Sequence, residues 1–399
     1  MEGRLGREVL MGVIWEPELS AEAEAFRKTA ADLTEKYFEP LVEEIDRVQR
    51  YPWENVDKLT EAGLTRMFLP KAYGGDAASL VSATAVVEAI AQGCPSTAAI
   101  VTTYQLGSYM VQQAGTEEQK DKCLREAVAN GHCVSFCLSE QEAGSDPAGM
   151  TTLATPEGDG YRIRGEKFWV GGGAASLYFV VFAKTDPDAG SRGITGFLIH
   201  KDEPGLSIDF IADKMGQRGS FTTNLKLDVW VPKSAVVGEF NRGLRLALFG
   251  LNLGRITISG HALGMAIAAF EEAARRACER KTFGQPLIEH QAIAFKLADM
   301  AARISASRMM VYNAAKAFDE GKDVSALAAM TKVMATETAN FVCNEAVQIW
   351  GSMGYIKPTK VERLFRDMRI NQIYEGASEI QRIVVSRAIR NEFMPSAAK

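Results

Sequence analysis

The chain is poor in the residues that bind metals or build disulfide frameworks. It has four histidines in 399 residues, and its six cysteines (Cys94, Cys123, Cys133, Cys137, Cys278, Cys343) form no C-x-x-C pair and no cluster with histidine. That scatter predicts reduced core thiols and no metal site. A G-x-G-x-x-G turn is missing, which leaves a nicotinamide dinucleotide without a candidate site. No run approaches the roughly 20 apolar residues of a membrane span. The first ten residues carry Glu2 and Glu8 and no apolar stretch, which argues against a secretory or transit leader, so the cytoplasm is the expected location. A formal net charge of -5 argues against a nucleic-acid binder, which would normally show a basic face.

What is present is an ordinary globular composition, 47% hydrophobic and 24% charged, on a chain long enough for two or three domains. After an N-terminal extension (1–14), apolar residues recur at helical spacing from Phe26 to Tyr37, break at Pro40, and resume in segments that reach Asn130 and Gly131. Thr116 and Gln119 fit a capping box. Residues 15–131 therefore read as helical. The period then shortens: seven β-branched or aromatic runs between Cys133 and Val231 predict an antiparallel β-domain, a barrel or sandwich, over 132–242. Helical spacing returns over 243–399, with segments near 243–279, 289–319, 324–350, 360–372 and 378–391, a helical bundle. The fold class is α+β in the order helix, β, helix.

One stretch concentrates candidate chemistry: Arg366 to Arg382, which sets Glu375 between Tyr374 and Gly376, after one helical pattern and before another. A carboxylate partly stripped of water there has its pKa raised toward the value that a general base needs near neutral pH. Ile373-Tyr374-Glu375-Gly376-Ala377-Ser378-Glu379-Ile380-Gln381-Arg382 resembles the IYEGTSEIQR motif of the acyl-CoA dehydrogenase family. Further stretches match that family in order along nearly the whole chain. The resemblance implies an N-terminal helical domain, a middle β-domain and a C-terminal four-helix bundle. It implies FAD as cofactor, an acyl-CoA substrate, and Glu375 as the base that takes the α-proton while the β-hydrogen leaves as hydride to flavin N5. It assigns Tyr374 and Gly376 to the substrate and Ala377 and Glu379 to the cofactor.

The other stretches carry residue roles by the same resemblance. Phe136 to Asp146 matches a loop in which Phe136, Leu138 and Ser139 lie by the flavin and Ser145 contacts the thioester ligand; Gln141-Glu142 replaces the usual Pro-Gly. Lys167 to Gly173 matches KxWITNG, with Trp169 against the isoalloxazine, although a core tryptophan is the plain alternative. Gly171 stands where the family has a threonine hydroxyl near N5, and three successive glycines predict a loose backbone. Lys214 to Ser220 matches a segment that positions the end of the β-domain, with Phe221 in place of an acidic residue. Asn252 and Arg255 resemble the DxxR segment that handles coenzyme A, with Asn252 replacing aspartate. Gly254 occupies the place where some branches carry the base, which leaves Glu375 as the matching one. Arg280, Thr282, Phe283 and Gln291 match a segment that reaches the FAD of a neighbouring subunit, and Gln348 and Ser352 one that cradles its adenosine end. Together they imply a flavin spanning two chains and a homotetramer built as a dimer of dimers.

The expected reaction is α,β-dehydrogenation of an acyl-CoA thioester, with electrons passed to an electron-transferring flavoprotein. Polar residues Thr102, Thr103, Tyr104 and Gln105 at the expected end of the acyl pocket favour a short, branched, cyclic or polar acyl group. Alternatives on the same scaffold are a thioester oxidase using oxygen, a dehydrogenase of carrier-protein thioesters, and a non-catalytic relative.

Overall fold

The computed structural model describes residues 12–129, 131 and 133–394. Asn130 at the expected helix end, residues 1–11 of the extension and residues 395–399 lie outside the described residues. Ser20 opens α1 (Ala21–Leu33), its hydroxyl accepting from the Ala23 amide at 3.1 Å, an N-cap. Pro40, lacking an amide N–H, sits where the helix gives way to a wide turn and a tight one before α2 (Val42–Val48). Four helices follow: α3 (Trp53–Glu61), α4 (Leu80–Ala91), α5 (Pro95–Ala114) and α6 (Glu117–Ala129). The capping box forms before α6. The Thr116 hydroxyl accepts from the Gln119 amide at 3.2 Å, and the Gln119 side chain accepts from the Thr116 amide at 3.0 Å.

Eight strands make one sheet: β1 (Cys133–Cys137), β2 (Leu153–Glu157), β3 (Gly160–Gly171), β4 (Ser176–Lys184), β5 (Ile194–His200), β6 (Leu206–Ile211), β7 (Thr222–Pro232) and β8 (Val236–Val237). Their order is β6-β7-β3-β2-β4-β5-β8, with β1 on β4. The sheet is mixed where full antiparallel pairing was expected, because β1 and one residue of β2 run parallel to β4. Neither reaches β4 through a hairpin, so no tight turn imposes the antiparallel sense. Seven consecutive residues of β4, Leu177 to Ala183, are buried, as a strand covered on both faces requires.

The chain then turns into α7 (Gly243–Glu279), a small hairpin of β9 (Lys281–Thr282) and β10 (Gln285–Pro286), and α8 (Gln291–Asp319), α9 (Ser325–Trp350), α10 (Lys360–Met368) and α11 (Ser378–Phe393). The axis of the molecule is α7, which packs against α4, α5, α8, α9 and α10. It contains an 18-residue window apolar enough to cross a membrane, all of it buried inside the fold. Cys94, Cys123, Cys137 and Cys343 are buried thiols, whereas Cys278 is exposed near the end of α7, where the helix leaves the core.

The expected extension is not wholly peripheral. Ile14 packs into the core around α7, and the Trp15 amide donates to the Ser305 hydroxyl at 3.0 Å. Arg308 on α8 ties this segment to α4: its guanidinium meets Glu88 at 2.6 Å and Glu16 at 2.7 Å, the first pair almost fully buried. Breaking a buried pair strands the remaining charge. Arg308→Ala is therefore expected to cost about 3–5 kcal/mol of stability, read as a lower urea midpoint, and Arg308→Ala with Glu88→Ala to cost less than the sum of the single changes.

Candidate active site

The site is built where α5 and α7 cross below the rim of the sheet. The two helices run antiparallel: a ring nitrogen of His261 lies 2.9 Å from the Pro95 carbonyl, and Gly250 abuts Met110. Residues 103–106 consequently lie at the level of Gly254. The turn that joins α10 to α11 brings Glu375 onto α7 at this level. A Cβ on Gly254 would come within 2.4 Å of Glu375 Oε2, so the carboxylate lies on the bare helix backbone. The two positions that the resemblance offered for a base thus converge on one point in space.

Glu375 and Gly376 both adopt positive φ, 56° and 86°. For a glutamate this is an uncommon conformation and needs its surroundings to hold it. Here both turn carbonyls are captured: Gln381 donates to the Glu375 carbonyl at 3.2 Å and to the Gly376 carbonyl at 2.8 Å, and Lys332 donates to the Gly376 carbonyl at 2.7 Å. The Tyr374 hydroxyl donates to Asn371 Oδ1 at 2.8 Å, which fixes the preceding residue. Glu375 Oε2 is buried without a hydrogen-bond partner. Burial pushes this carboxyl up to about 7, against the pull of Lys332 and then Arg255.

Arg255 is 4% exposed and turned inward. It donates to Asn252 Oδ1 at 2.9 Å, and the Asn252 amide donates to Ser325 at 3.2 Å. The asparagine therefore keeps the acceptor that an aspartate would give and gains a donor. Ala377 caps α11, and Glu379 is exposed beyond it. Lysine 332, missed in the sequence because it falls on the apolar face of α9 between Ala328 and Ala335, is fully buried.

The sheet supplies a second group of candidate residues. Glu140 and Ala143 exchange backbone hydrogen bonds at 3.1 and 3.2 Å, a tight turn with Gln141 and Glu142 exposed at its tip, so it closes without Pro-Gly. Glu140 anchors the loop from beneath: it accepts from Lys167 at 2.8 Å, the Thr151 hydroxyl at 2.8 Å and the Thr152 amide at 3.0 Å. Leu138 is buried, Phe136 and Ser139 are half-buried, and Ser145 is exposed. The register of β3 against β7 slips between Lys167 and Val170. At that bulge Trp169 takes φ 60° and is 60% exposed, which rules out a core tryptophan. A large aromatic held in strained backbone and left in the open is an arrangement for contact with a ligand.

The three glycines beside it are not loose. Gly172 has φ 69° and donates to the Phe221 carbonyl at 2.8 Å, and a Cβ on Gly173 would strike the Thr223 hydroxyl at 2.0 Å. Only Gly171 has room, its nearest neighbour being the Thr103 hydroxyl 3.5 Å from the would-be Cβ. Phe221 packs against Tyr51 with ring centroids 5.0 Å apart, an apolar contact in place of an acidic side chain.

The remaining residues singled out in the sequence lie elsewhere. Arg280 is 26 residues beyond Gly254, roughly 39 Å along α7, and Gln348 is 16 residues beyond Lys332, roughly 24 Å along α9. Phe283 stands at the tip of the β9–β10 hairpin with φ 51° and 98% exposure, while Thr282 is held by His290 at 3.1 Å. Arg280, Gln291, Gln348 and Ser352 are all exposed. Among the described residues no group of three or more His, Cys, Asp or Glu could hold a metal ion.

The structure thus sets a buried carboxylate with a raised pKa against α7, and the rim of the sheet carries an exposed aromatic, Trp169, on strained backbone. Three domain families match the chain: acyl-CoA dehydrogenase, N-terminal domain, over residues 20–131, the middle domain over 135–229 and the C-terminal domain over 241–390. The 3-(aryl)acrylate reductase of Clostridium sporogenes is 38% identical over 366 residues, 91% of this chain and 97% of its own. Butyryl-CoA dehydrogenase from Megasphaera elsdenii superposes with a TM-score of 0.91 at 37% identity, covering 94% of this chain and 100% of that one. A chain from a structure described as the electron transferring flavoprotein of Acidaminococcus fermentans gives a TM-score of 0.91 at 36% identity, covering 94% and 99%. The chain belongs to the acyl-CoA dehydrogenase family, oxidoreductases that use FAD.

Proposed function

We propose that this protein dehydrogenates an acyl-CoA thioester between Cα and Cβ, with Glu375 as the base. The observation that carries the reading is the Glu375 carboxylate laid against Gly254, its pKa raised by burial to about 7. A base poised near neutrality can both take a proton and give it up again. FAD, when bound, supplies the acceptor for the β-hydride.

The residues fit such a cofactor. Trp169 offers an exposed aromatic face, Gly171 leaves room beside it, and Phe136, Leu138 and Ser139 line the adjoining loop. The backbone N–H of Glu375 donates to the thioester carbonyl and stabilises negative charge as the α-proton leaves. Tyr374, Gly376, Ala377 and Glu379 frame that turn, Asn252 and Arg255 support it from α7, and Ser145 faces the ligand from the opposite loop. Arg280, Thr282, Phe283, Gln291, Gln348 and Ser352, far from Glu375 in their own protomer, serve the cofactor of a neighbouring copy. That division supports a homotetramer built from dimers. The same reading carries an electron-transferring flavoprotein as electron acceptor and a cytoplasmic setting.

Three of the four polar residues near the acyl end are already satisfied. Thr102 and Thr103 donate to the Ala99 carbonyl at 2.8 and 3.1 Å, and the Tyr104 hydroxyl bonds to the Gly131 carbonyl. Gln105, 4% exposed, has no partner for either amide atom. Its unspent carboxamide supports a short acyl group that is branched, cyclic or polar over a long alkyl chain. The open position at Gly171 favours a second reading, a thioester oxidase, which hydrogen peroxide released during turnover would reveal.

Anaerobic titration of the flavin-loaded protein with acyl-CoA thioesters tests the function: the flavin band bleaches with one acyl class, and bleaching with none defeats the reading. The bleaching rate should climb as pH rises through about 7, because the base is active only when ionised. A rate flat between pH 6 and 8 contradicts that assignment.

A further inference from the structure

We propose that Lys332 is a positioning residue for this reaction: its buried ammonium fixes the Glu375–Gly376 turn and holds the Glu375 carboxylate in its charged, basic form. The inference rests on the reading of Glu375 as the base.

A fully buried lysine is uncommon, since its ammonium gives up water that few partners replace. The flanking side chains on the same face of α9, Ala328, Ala329, Thr331, Ala335 and Thr336, carry no charge to compensate it. Its compensation comes across the helix interface. The ammonium donates to the Gly376 carbonyl, fixing the peptide plane that follows the base, and its charge acts on Glu375 itself. Gln381 captures the same carbonyl from α11, so the turn would keep one anchor without Lys332. Gln381 brings no charge. Its contribution is geometric, whereas Lys332 adds geometry and electrostatics together.

The charged and titratable groups around the pair can be named element by element. Arg255 reaches it from α7 and Glu379 from α11, while Tyr374 in the connecting turn is pushed up by burial and stays neutral. Arg255 is the second cation near Glu375, and its Nε is buried without a partner. Glu379 is exposed and screened by solvent. Burial drives Glu375 toward the protonated form, with Lys332 the larger of two opposing influences. Removing the lysine charge leaves Arg255 alone against that burial, and the carboxyl titrates at higher pH. The coupling is reciprocal: Lys332 is itself lowered by burial to about 8, and it is held there partly by Glu375.

The test uses the FAD-loaded protein, with Lys332→Met, which removes charge and donor, and Lys332→Gln, which removes charge and retains a polar head. The first readout needs no thioester. Infrared titration follows the protonated carboxyl band that disappears in Glu375→Gln, and its midpoint should move up by at least about one pH unit in both lysine variants. The second readout is the pH profile of flavin bleaching with a thioester that bleaches the wild type. At pH 7 the rate should fall about tenfold and recover toward wild type near pH 9, with KM little changed. An unmoved carboxyl midpoint in a variant that keeps FAD and its unfolding temperature overturns the proposal, as does a rate loss equal at every pH. Should neither variant fold, nitrogen-15 titration of the lysine ammonium in wild type and Glu375→Gln decides the matter. Loss of the anion should lower the Lys332 midpoint, and an unchanged midpoint overturns the coupling. If no thioester bleaches the wild type, the base reading fails by itself while the infrared titration still tests the pair.

Discussion

Glu375→Gln is expected to slow thioester-dependent flavin bleaching by about 10³-fold or more while FAD stays bound, because an amide of the same shape cannot take a proton. Positioned bases contribute roughly 10²–10⁴-fold, and the three atoms nearest a Cβ built on Gly254 all belong to the Glu375 carboxylate. The substitution should leave the turn intact, since Gln381 and Lys332 bond to backbone carbonyls that it does not alter. Stopped-flow bleaching with the best thioester, beside the flavin-to-protein absorbance ratio, measures both parts. A variant that bleaches within tenfold of wild type would move the base elsewhere.

The same substitution should not destabilise the fold near neutrality. The folded carboxyl titrates at about 7, above its ordinary value of 4.5, so the native state binds the extra proton and stability declines as pH rises between those values. A neutral amide does not suffer that decline. Relative to wild type, Glu375→Gln should unfold at an equal or higher temperature at pH 8, and the difference should shrink toward pH 4. A site that is costly to the fold and needed for the chemistry is the usual trade between stability and activity.

The second large effect is expected from Gly254. In Gly254→Ala the new methyl would stand 2.4 Å from Oε2, and the carboxylate must rotate away because the backbone of its turn is held from two sides. A displacement of this size at a reacting group costs on the order of 10²-fold in rate. The loss should appear in kcat with KM nearly unchanged. The complementary experiment moves the base: Gly254→Glu with Glu375→Gly places a carboxylate at the same point from α7 and should recover part of the activity that Glu375→Gly alone removes. Failure to recover any, in a folded double variant that binds FAD, would show that the approach direction of the base matters as much as its location.

Much of the fold was legible in the sequence because its signals are local. The Thr116–Gln119 pair announces a helix start, Pro40 a break, and the change from helical to alternating spacing near Cys133 the entry into the sheet. Glu375 stood out for its setting beside Gly376 and for the motif around it. Strand direction was less legible: the parallel pairing of β1 with β4 depends on where the chain returns after Gly149, and no run of residues states that.

The sequence by itself determined the order of helical and β segments, the family, and the carboxylate on which the chemistry turns, since capping, periodicity and motif spacing act between neighbours in the chain. Tertiary structure alone decided what that carboxylate meets. Gly254 lies 121 residues before Glu375 in the sequence, and Lys332 sits among alanines on an apolar helix face. Nothing local marks Lys332 as a partner of the base, and Gly254 was singled out by the resemblance alone. Likewise only the bulge in β3 decides between the two readings of Trp169 by turning it outward, and Gly172 and Gly173 read as slack until Phe221 and Thr223 close on them. The physical reason is common to all four cases. Desolvation, charge coupling and close approach depend on distances in space, and those arise only when α7, α9, the sheet rim and the turn before α11 pack together.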